Sequence, residues 1–496
     1  MTRTVPCINA IASAVRECDV RSITGVPGYP VTELMEHLIS EAHARWCINE
    51  KVAMEIALGA SACSIRSMVI VKHVGMNILA DPLITASTHT TGAGTVIIAG
   101  DDPMAAASQN EQDSRYWGML SEVPVLDPNP TNLYDAVCEG YRIAEAVRTP
   151  VIVRVTDRLL QSESAIDEKQ TRNESKSHLF DRSIWEYSMH GRHQLFHRDT
   201  YPLMEDLSET SDINRFFHEK PASSCIISSG YASVIVESIM RKRRIEIPHL
   251  SLSFVNPLPI KHITDFIGDR RALVIEETEP VIENQLRSHN ILGRRSGHLP
   301  YGGLTEEDIL FAVENMDNDE IALDIDPETL KNRGYARSIC EDCPFIPVYE
   351  AVKNMKSGTS ILIAGDMGCS IRTAPTGVVD LAYSLGGAIG IASGMPGKGI
   401  AITGDFGLVH SGLQALIDAE FNNRDVLVIV LKNTVSAMTG GQSVPDPVRI
   451  IHACCSDVTI IDETADAQAV EQLITEKLAA HGVSVIVACG ACRRYL

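Results

Sequence analysis

Short apolar runs that end in glycine or a polar residue constrain the fold of this chain more than any other feature. A strand buried on both faces of a parallel sheet reads as a nearly continuous apolar run, and helical patterns separate the runs here. Alternating strands and helices predict doubly wound parallel sheets, which bind ligands at the carboxyl ends of their strands. The main runs are SMVIVKH (67–73), GTVIIAG (94–100), TPVIVRV (149–155), GKGIAITGDFG (397–407), RDVLVIVLKN (424–433) and VSVIVAC (483–489).

Polar stretches divide these runs into three α/β blocks. Residues 1–160 form the first, and residues 161–220 are polar and irregular, as in a linker with one short helix. Residues 221–330 hold a smaller block, and residues 331–496 hold a third that is similar in kind to the first. We therefore expect three domains, which suits a length of 496 residues.

Composition narrows the classes of partner. A net charge of −21 opposes binding to nucleic acid and to anionic membranes, which leaves small molecules and proteins as the expected partners. The chain shows no secretion signal and no apolar run near the roughly 18 residues of a membrane helix. Thirteen cysteines without an export signal predict reduced thiols and a cytoplasmic protein.

The third block contains a pattern suited to holding a diphosphate. Asp405 follows one predicted strand, a helix patterned on Leu413 and Leu416 comes next, and Asn433 follows the next strand. Hard divalent cations take oxygen ligands, so Asp405, Asn433 and the carbonyl of Val435 are candidate Mg²⁺ ligands. An Asp that only caps its helix is the alternative for a lone Gly-Asp pair.

This order of strand, Gly-Asp, helix, strand and Asn resembles the thiamine-diphosphate motif of transketolase-like and pyruvate-oxidase-like enzymes. Within that superfamily, the chain is most similar to the large subunit of indolepyruvate:ferredoxin oxidoreductase. The segments that carry the resemblance are GVPGYPVTE (25–33), NEKVAMEIALGAS (49–61), KHVGMN (72–77), DDPMAAASQNEQDSRYWG (101–118), NPLP (256–259), VIEETEPVIENQ (274–285), GDMGC (365–369), HSG (410–412) and AMTGGQ (437–442).

The resemblance implies a thiamine-diphosphate-binding fold. Its pyrimidine-binding domain would be residues 1–160, its transketolase-C-like domain 221–330 and its diphosphate-binding domain 331–496. The implied cofactors are thiamine diphosphate and Mg²⁺, and the implied substrate is an arylpyruvate or branched 2-oxo acid. The residues expected to contact the cofactor are Gly365, Asp366, Met367, Gly368, Cys369, Gly404, Asp405, Phe406, Gly407, Asn433, Val435 and Met438.

The resemblance also implies catalytic residues. Glu50 would bond N1′ of the aminopyrimidine and so promote deprotonation of the thiazolium ring. Its alternative is a surface Glu stabilised by a helix dipole. Lys72, His73 and His410 would bind the substrate carboxylate or move a proton, whereas structural roles are the alternative for each histidine.

Three departures from the family qualify the resemblance. The sequence ends at Leu496, before a ferredoxin-like extension, so an iron-sulfur cluster is expected only through a partner. Tyr29 stands where relatives carry Thr, so we assign the substrate pocket to Tyr29, Thr32 and Asn77. CEDCPF (340–345) keeps a Cys pair but lacks the His and Arg that follow it in relatives, so this pair and Cys489 with Cys492 are free thiols or half of a metal site.

Three functions remain open from the sequence. The first is a 2-oxo-acid oxidoreductase subunit that works with a smaller subunit and a ferredoxin-like protein, in a hetero-oligomer with a dimeric core. The second is a non-oxidative decarboxylase or carboligase. The third is a catalytically silent subunit of a larger complex. The physiological 2-oxo acid, the use of coenzyme A and the electron acceptor are not determined by the sequence.

Overall fold

The chain divides into two units, Met1–Ile325 and Asp326–Leu496. The computed structural model describes residues 2–167, 179–217, 221–286, 290–322, 338–357 and 359–496. Both units consist of parallel sheets flanked by helices, so the predicted α/β class is confirmed. Among the described residues, no helix has both the length and the apolar character needed to span a bilayer.

A seven-stranded sheet forms the centre of the first unit. Six of its strands run parallel, and one short edge strand joins antiparallel. The strand order across the sheet is β12, β6, β7, β5, β4, β2, β3. The bounds are β2 (Ser22–Gly25), β3 (Arg45–Trp46), β4 (Ser67–Lys72), β5 (Thr95–Asp101), β6 (Val125–Leu126), β7 (Val151–Thr156) and β12 (Phe254–Asn256).

Helices cover both faces of this sheet because successive strand residues point to opposite sides. Met68 and Ile70 belong to one apolar core, whereas Val69 and Val71 belong to the other. Continuous apolar runs therefore became strands buried on both faces, as predicted. The helices are α1 (Cys7–Glu17), α2 (Thr32–Ala42), α3 (Glu50–Ala62), α4 (His73–His89), α5 (Arg115–Ser121), α6 (Leu133–Val147) and α7 (Asp157–Leu160).

The region predicted as a linker holds more structure than one short helix. Part of it lies outside the described residues, but β8 (Glu163–Asp167) pairs antiparallel with β1 (Thr2–Pro6). A 3₁₀ turn (Arg182–Glu186) is followed by one continuous helical segment with a π-helical centre, residues 189–209. The segment comprises α8 (Met189–Leu195), the π turn (Phe196–Thr200) and α9 (Tyr201–Glu209).

A second, five-stranded sheet completes the first unit. Its order is β14, β13, β10, β11, β9, with β9 antiparallel at the edge. The segment after β11 contributes β12 to the first sheet, which explains why residues 221–322 belong to the same unit. The remaining bounds are β9 (Arg215–Phe217), β10 (Ser224–Ser229), β11 (His249–Leu252), β13 (Arg271–Ile275), β14 (Ile291–Leu292), α10 (Gly230–Arg243), α11 (Ile260–Ile267), α12 (Val281–Gln285) and α13 (Glu306–Glu314).

The second unit contains a parallel five-stranded sheet in the order β15, β16, β17, β21, β20. A small antiparallel pair, β18 with β19, follows the central strand. The strands are β15 (Ile363–Ala364), β16 (Gly399–Gly404), β17 (Val426–Lys432), β18 (Val435–Ser436), β19 (Gln442–Ser443), β20 (Val458–Ile461) and β21 (Val483–Cys489). The helices are α14 (Ile346–Lys356), α15 (Ala388–Ser393), α16 (Asp405–Gly407), a π turn (Leu408–Gly412), α17 (Leu413–Phe421), α18 (Val448–Cys454) and α19 (Ala467–Ala479), with 3₁₀ turns at Cys369–Thr376 and Arg493–Tyr495.

Candidate functional site

Asp405 lies at the carboxyl end of β16, where its carboxylate accepts three backbone hydrogen bonds. Oδ2 accepts from the N–H groups of Asn433 (2.9 Å) and Thr434 (2.6 Å), and Oδ1 accepts from that of Phe406 (2.9 Å). Parallel pairing of β16 with β17 brings the ends of the two strands together. The turn after β17 thus wraps around the acid that follows β16, as the motif predicts.

The turn that surrounds Asp405 is held in an uncommon conformation. Thr434 has φ 61, in the left-handed region that a threonine rarely adopts. The side-chain oxygen of Asn433 accepts a hydrogen bond from the N–H of Val435 (3.0 Å). Non-glycine residues in this region persist where their surroundings enforce them, and such residues concentrate at binding sites.

We call Asp405, with Asn433 and Val435 of the turn after β17, the Asp405 corner. Its oxygen ligands are of a kind that fits a magnesium ion. Its carboxylate is only 2 % exposed, and burial raises the pKa of Asp405 despite the three N–H donors and nearby Lys432. A divalent cation would compensate the buried negative charge. Carboxylate, amide and backbone carbonyl oxygens are ligands of the type that Mg²⁺ takes, and Asp405, Asn433 and Val435 offer one of each.

A second buried acid, Asp366, lies one strand away after β15. Its Oδ1 accepts from the N–H of Gly386 (2.6 Å), and its Oδ2 accepts from the hydroxyl of Thr403 (2.5 Å). Burial raises the pKa of Asp366. A Cβ at Gly407 would stand 1.8 Å from Asp366 Oδ2, so only glycine fits there. Asp366 therefore ties β15 to the first turn after β16.

The glycines at this edge differ in their surroundings. A Cβ at Gly404 or Gly368 would meet nothing within 4 Å, so both face open space that a phosphate group could occupy. Gly365 instead packs against Val379, and its N–H donates to Leu381 (2.7 Å). Gly368 and Gly404 suit cofactor contact, whereas Gly365 and Gly407 fill structural positions.

His410 is buried in the π turn after α16. Its Nδ1 lies 3.2 Å from the hydroxyl oxygen of Ser411, and that hydroxyl donates its proton to the carbonyl of Leu385 (2.6 Å). Ser411 Oγ therefore accepts from His410 Nδ1–H. The His410 ring centroid lies 5.8 Å from that of Phe406.

Two predicted contact residues are less buried. The N–H of Met367 is hydrogen-bonded to Asp366, whereas Met438, between β18 and β19, is 41 % exposed.

At the carboxyl edge of the first sheet, Glu50 and Lys72 lie together. Glu50 is the first residue of α3 and is 4 % exposed, and its negative charge opposes the lowering that burial imposes on the pKa of Lys72. Each side chain packs on a glycine. A Cβ at Gly75 would stand 2.8 Å from Glu50 Oε1, and one at Gly28 would stand 2.6 Å from Lys72 Cδ. Glu50 is thus not the exposed helix-terminal Glu considered above.

The loop before α5, residues 102–113, covers the start of α4 through three side chains. Gln109 accepts a hydrogen bond from Lys72 Nζ (3.2 Å), and Gln112 exchanges two with Asn77 (2.6 and 3.1 Å). His73 is fully buried, with Nε2 3.2 Å from the backbone oxygen of Asn110 and Nδ1 3.3 Å from that of Gly100. Both ring nitrogens of His73 are engaged, which favours the structural alternative for this residue.

Tyr29 and Thr32 follow β2 and flank Gly28. The Tyr29 hydroxyl donates to Asp157 Oδ2 (3.3 Å), and burial with the charges of Asp157 and Asp102 raises the pKa of Tyr29 to about 12. The phenol therefore stays protonated and can act as a donor. Thr32 Oγ1 accepts from the N–H of Gly28 (2.9 Å), which leaves its hydroxyl proton for another acceptor.

The thiols of the second unit are arranged differently from the predicted pairs. Cys340, Cys369 and Cys492 all add to the raised pKa of Cys343, about 11, whose largest cause is burial. These four residues form what we call the thiol group. The charges of Lys432 and Asp405 instead act on the thiol of Cys489. No three of the described thiols have their sulfur atoms all within 4.8 Å of one another.

Sequence reasoning missed the supporting residues around these sites. Gln109, Asn110 and Gln112 lie in a motif that carried the resemblance, but nothing local showed that they reach α4. The buried contacts of Asp366 with Thr403 and Gly386, and the electrostatic influence of Cys492 on Cys343, join segments that are distant in sequence. The glycines beneath Glu50 and Lys72 were the available signal, because charged side chains can pack closely on residues without a Cβ.

Comparison with known proteins agrees with this geometry. The family described as "Thiamine pyrophosphate enzyme, C-terminal TPP binding domain" matches residues 366–488, a range that contains both Asp405 and Asn433. A solved structure of 2-oxoglutarate:ferredoxin oxidoreductase from Magnetococcus marinus superposes with a TM-score of 0.51. It is 14 % identical over 64 % of this chain and 65 % of that chain, so it supports the fold alone.

Curated relatives extend the similarity along most of the chain. Indolepyruvate oxidoreductase subunit IorA of Methanothermobacter thermautotrophicus is 28 % identical, over 88 % of this chain and 76 % of that protein. The protein of the same name from Thermococcus kodakarensis is 26 % identical, over 98 % of this chain and 85 % of that protein. The resemblance to the large subunits of indolepyruvate oxidoreductases and the thiamine-diphosphate-binding fold are therefore confirmed.

Proposed function

We propose that this chain is the catalytic subunit of a thiamine-diphosphate-dependent 2-oxo-acid oxidoreductase of the indolepyruvate type. The observation that carries the proposal is the Asp405 corner, where two adjacent strand ends place a buried carboxylate beside Asn433. The names of the relatives support the oxidoreductase class and an aryl 2-oxo acid as substrate.

In this proposal, Asp405, Asn433 and the carbonyl of Val435 hold Mg²⁺, which binds the cofactor's diphosphate. The open space beside Gly368 and Gly404 receives phosphate oxygens, because their backbone can be approached closely. Thiamine diphosphate, when bound, supplies the carbanion-stabilising centre that decarboxylation of a 2-oxo acid requires.

Glu50 supplies the carboxylate that the aminopyrimidine needs. Its position on Gly75, at 4 % exposure, fixes the side chain and keeps most water away. A carboxylate held in this way can accept a hydrogen bond from a protonated ring nitrogen and shift the proton distribution of that ring. The negative charge of Glu50 in turn raises the pKa of nearby Lys72, against the lowering that burial imposes.

Lys72, Tyr29 and Thr32 are the residues that we assign to substrate binding. Lys72 offers an ammonium group suited to a carboxylate, and Tyr29, whose proton is donated to Asp157, offers its hydroxyl oxygen as an acceptor. Thr32 offers a second hydroxyl. His73 positions α4 and Asn110, while His410 remains a candidate for proton transfer beside Phe406.

Oxidative decarboxylation releases CO₂ and two electrons and leaves an acyl group, which passes to water or to a thiol such as coenzyme A. An iron-sulfur carrier must accept the electrons one at a time. We assign that role to a ferredoxin-like partner, with a smaller oxidoreductase subunit completing a cytoplasmic complex. The thiol group is a second candidate for holding iron within this chain.

The test is to purify the native complex anaerobically, add phenylpyruvate, and measure CO₂ release together with reduction of a viologen dye. CO₂ release with dye reduction supports the proposal. CO₂ release without reduction would instead assign a non-oxidative decarboxylase or carboligase, and neither signal from a cofactor-loaded complex would assign a silent subunit. Iron and acid-labile sulfide in the chain separated from its partners would place a cluster on the thiol group.

A further inference from the structure

Three potential metal ligands converge on the surface of the first unit, outside the proposed catalytic site. His197 Nε2 lies 3.2 Å from His193 Nε2 and 3.3 Å from Glu122 Oε1. All three ligand atoms lie within 4.8 Å of one another, and no other group of three or more His, Cys, Asp or Glu ligands among the described residues does so. The side chains come from two elements that are distant in sequence, since Glu122 ends α5 and the histidines lie on α8 and its π turn.

The scaffold holds these side chains in place. Arg192 is 5 % exposed, with its guanidinium over the Trp185 ring (4.3 Å) and its Nε donating to the carbonyl of Ile184 (3.0 Å). Phe196 is 4 % exposed and packs into the main apolar core. The residues just before each histidine are therefore anchored, which directs His193 and His197 to the opposite, exposed side of the helix.

The backbone at both ends of the site is irregular in a way that suits ligand placement. His197 lies within the π turn Phe196–Thr200, and single π turns within α-helices occur often at functional sites. The wider turn changes the angle between side chains four residues apart. Glu122 has φ 54 in the left-handed region and caps α5, so its Cα–Cβ bond leaves the helix end in a direction set by the backbone.

Hydrogen bonding alone does not satisfy this arrangement. One proton on His197 Nε2 can be donated to Glu122 or to His193, but not to both. A metal ion would accept a lone pair from all three atoms at once. Ligands on a tetrahedral zinc ion, at bond lengths of about 2.0–2.1 Å, lie about 3.3 Å apart, and the two measured separations of 3.2 and 3.3 Å match that edge.

We propose that Glu122, His193 and His197 form a binding site for a late first-row divalent ion, of which Zn²⁺ is the best fit. Two imidazoles and one carboxylate are ligands that zinc takes, and three protein ligands leave a fourth position for water. The proposal does not depend on the proposed function. The bound ion joins the end of α5 to the helical segment 189–209.

A metal ion at Glu122, His193 and His197 would connect the helical segment 189–209 to α5, and α5 carries a buried charge network. Arg115 is the first residue of α5. It donates a hydrogen bond to Glu276 (2.8 Å), which lies between β13 and α12, and it forms an ion pair with Asp113 (2.6 Å). A metal ion that binds only the folded form stabilises it by mass action. Zinc should therefore protect the helical segment and α5 against local opening.

The test is a titration of the full chain with Co²⁺, in which visible absorption reports the binding. Zn²⁺ is then added to displace the bound Co²⁺. Thiolate ligands give intense sulfur-to-metal bands, so binding at His and Glu is separable from binding at the cysteines. We expect the double variant His193→Ala/His197→Ala to bind one fewer equivalent of Co²⁺ without thiolate bands than the unmodified chain does. Glu122→Gln should bind it about ten- to hundredfold more weakly, the loss seen even for outer partners of metal ligands.

The matched control is His190→Ala, an exposed histidine on the same helix, which should bind as the unmodified chain does. Zinc should also slow hydrogen exchange in residues 189–201 of the unmodified chain and of the control, but not of the double variant. An unchanged number of thiolate-free equivalents in a double variant that retains its circular dichroism would overturn the proposal. So would zinc protection that persists in that variant.

Discussion

Buried carboxylates at the carboxyl edges of the two large parallel sheets differ in their hydrogen-bond and ion-pair partners. At the first sheet, two of the buried acids face arginines. Asp101 pairs with Arg154 (2.6 Å) and Asp113 with Arg115 (2.6 Å), both pairs almost fully buried. In the second unit, Asp366 and Asp405 accept hydrogen bonds from backbone N–H groups and from the hydroxyl of Thr403.

The difference is clearest between Asp113 and Asp405. Arg115 and Arg154 hold the pKa of Asp113 well below its ordinary value, although burial acts in the other direction. Burial raises the pKa values of Asp366 and Asp405, because the hydrogen-bond donors, and Lys432 near Asp405, offset it only in part. Where an arginine of the chain supplies the countercharge, as Arg115 does for Asp113, the ion pair stabilises the fold. At Asp405, where no arginine among the described residues is paired with the acid, we propose that a cation from outside completes the site.

The largest effect should come from Glu50, the acid at the first edge that we assign to catalysis. Glu50→Gln should leave thiamine diphosphate bound but slow hydrogen-deuterium exchange at its C2 by about 10²–10⁴-fold, the usual contribution of a positioned proton-transfer group. NMR of the bound cofactor measures this rate. Glu55→Gln, on the exposed face of the same helix, is the control, and wild-type exchange in Glu50→Gln would remove Glu50 from catalysis.

The built-in countercharge is tested by Arg115→Met. Removing this guanidinium leaves Asp113 and Glu276 buried without their partner, which should lower the free energy of unfolding by about 3–5 kcal/mol. All three tryptophans, Trp46, Trp117 and Trp185, lie in the first unit, so urea unfolding followed by their fluorescence reports on it. Arg198→Met, at an exposed pair, should not change the midpoint. A loss no larger than that control would show that the network is not needed for stability.

A smaller effect is expected from Gly407→Ala in the second unit. The new Cβ would stand 1.8 Å from Asp366 Oδ2, so the acid or the turn must move, at about 1–3 kcal/mol. Hydrogen exchange of residues 399–412 measures the change. Gly404→Ala is the matched control, since its Cβ would meet nothing within 4 Å. Equal protection in both variants would contradict the close packing of Asp366.

Much of the fold was predictable because its strands are buried on both faces. The runs at β4, β5, β7, β16, β17 and β21 were read correctly from their apolar residues. β15 is only Ile363–Ala364, although the apolar run that contains it begins at Ile361. β8 and β12 were missed because both depend on pairing with distant segments. The helical segment 189–209 was hidden in polar sequence, since only a few residues such as Phe196 and Met204 enter the core.

The candidate site follows the same division. Asp405 and Asn433 were recognisable because two strand ends and a helix fix their spacing. The thiol group was not, because Cys369 and Cys492 reach Cys343 only through the folded second unit. Likewise, no local pattern brings Glu122 to the histidines of the helical segment.

The central claim is that the Asp405 corner holds a diphosphate through Mg²⁺. Calorimetric titration of thiamine diphosphate into the full chain, with and without Mg²⁺, tests it directly. Asp405→Asn keeps the shape of the side chain, and Asp418→Asn, at an exposed position on α17, is the control.

We expect Mg²⁺-dependent binding in the unmodified chain and in Asp418→Asn. In Asp405→Asn, binding should weaken by about a hundredfold, since losing one partner of a buried charged contact costs about 2–5 kcal/mol. Equal affinity in Asp405→Asn and the unmodified chain, or affinity that does not change when Mg²⁺ is removed, would contradict the account.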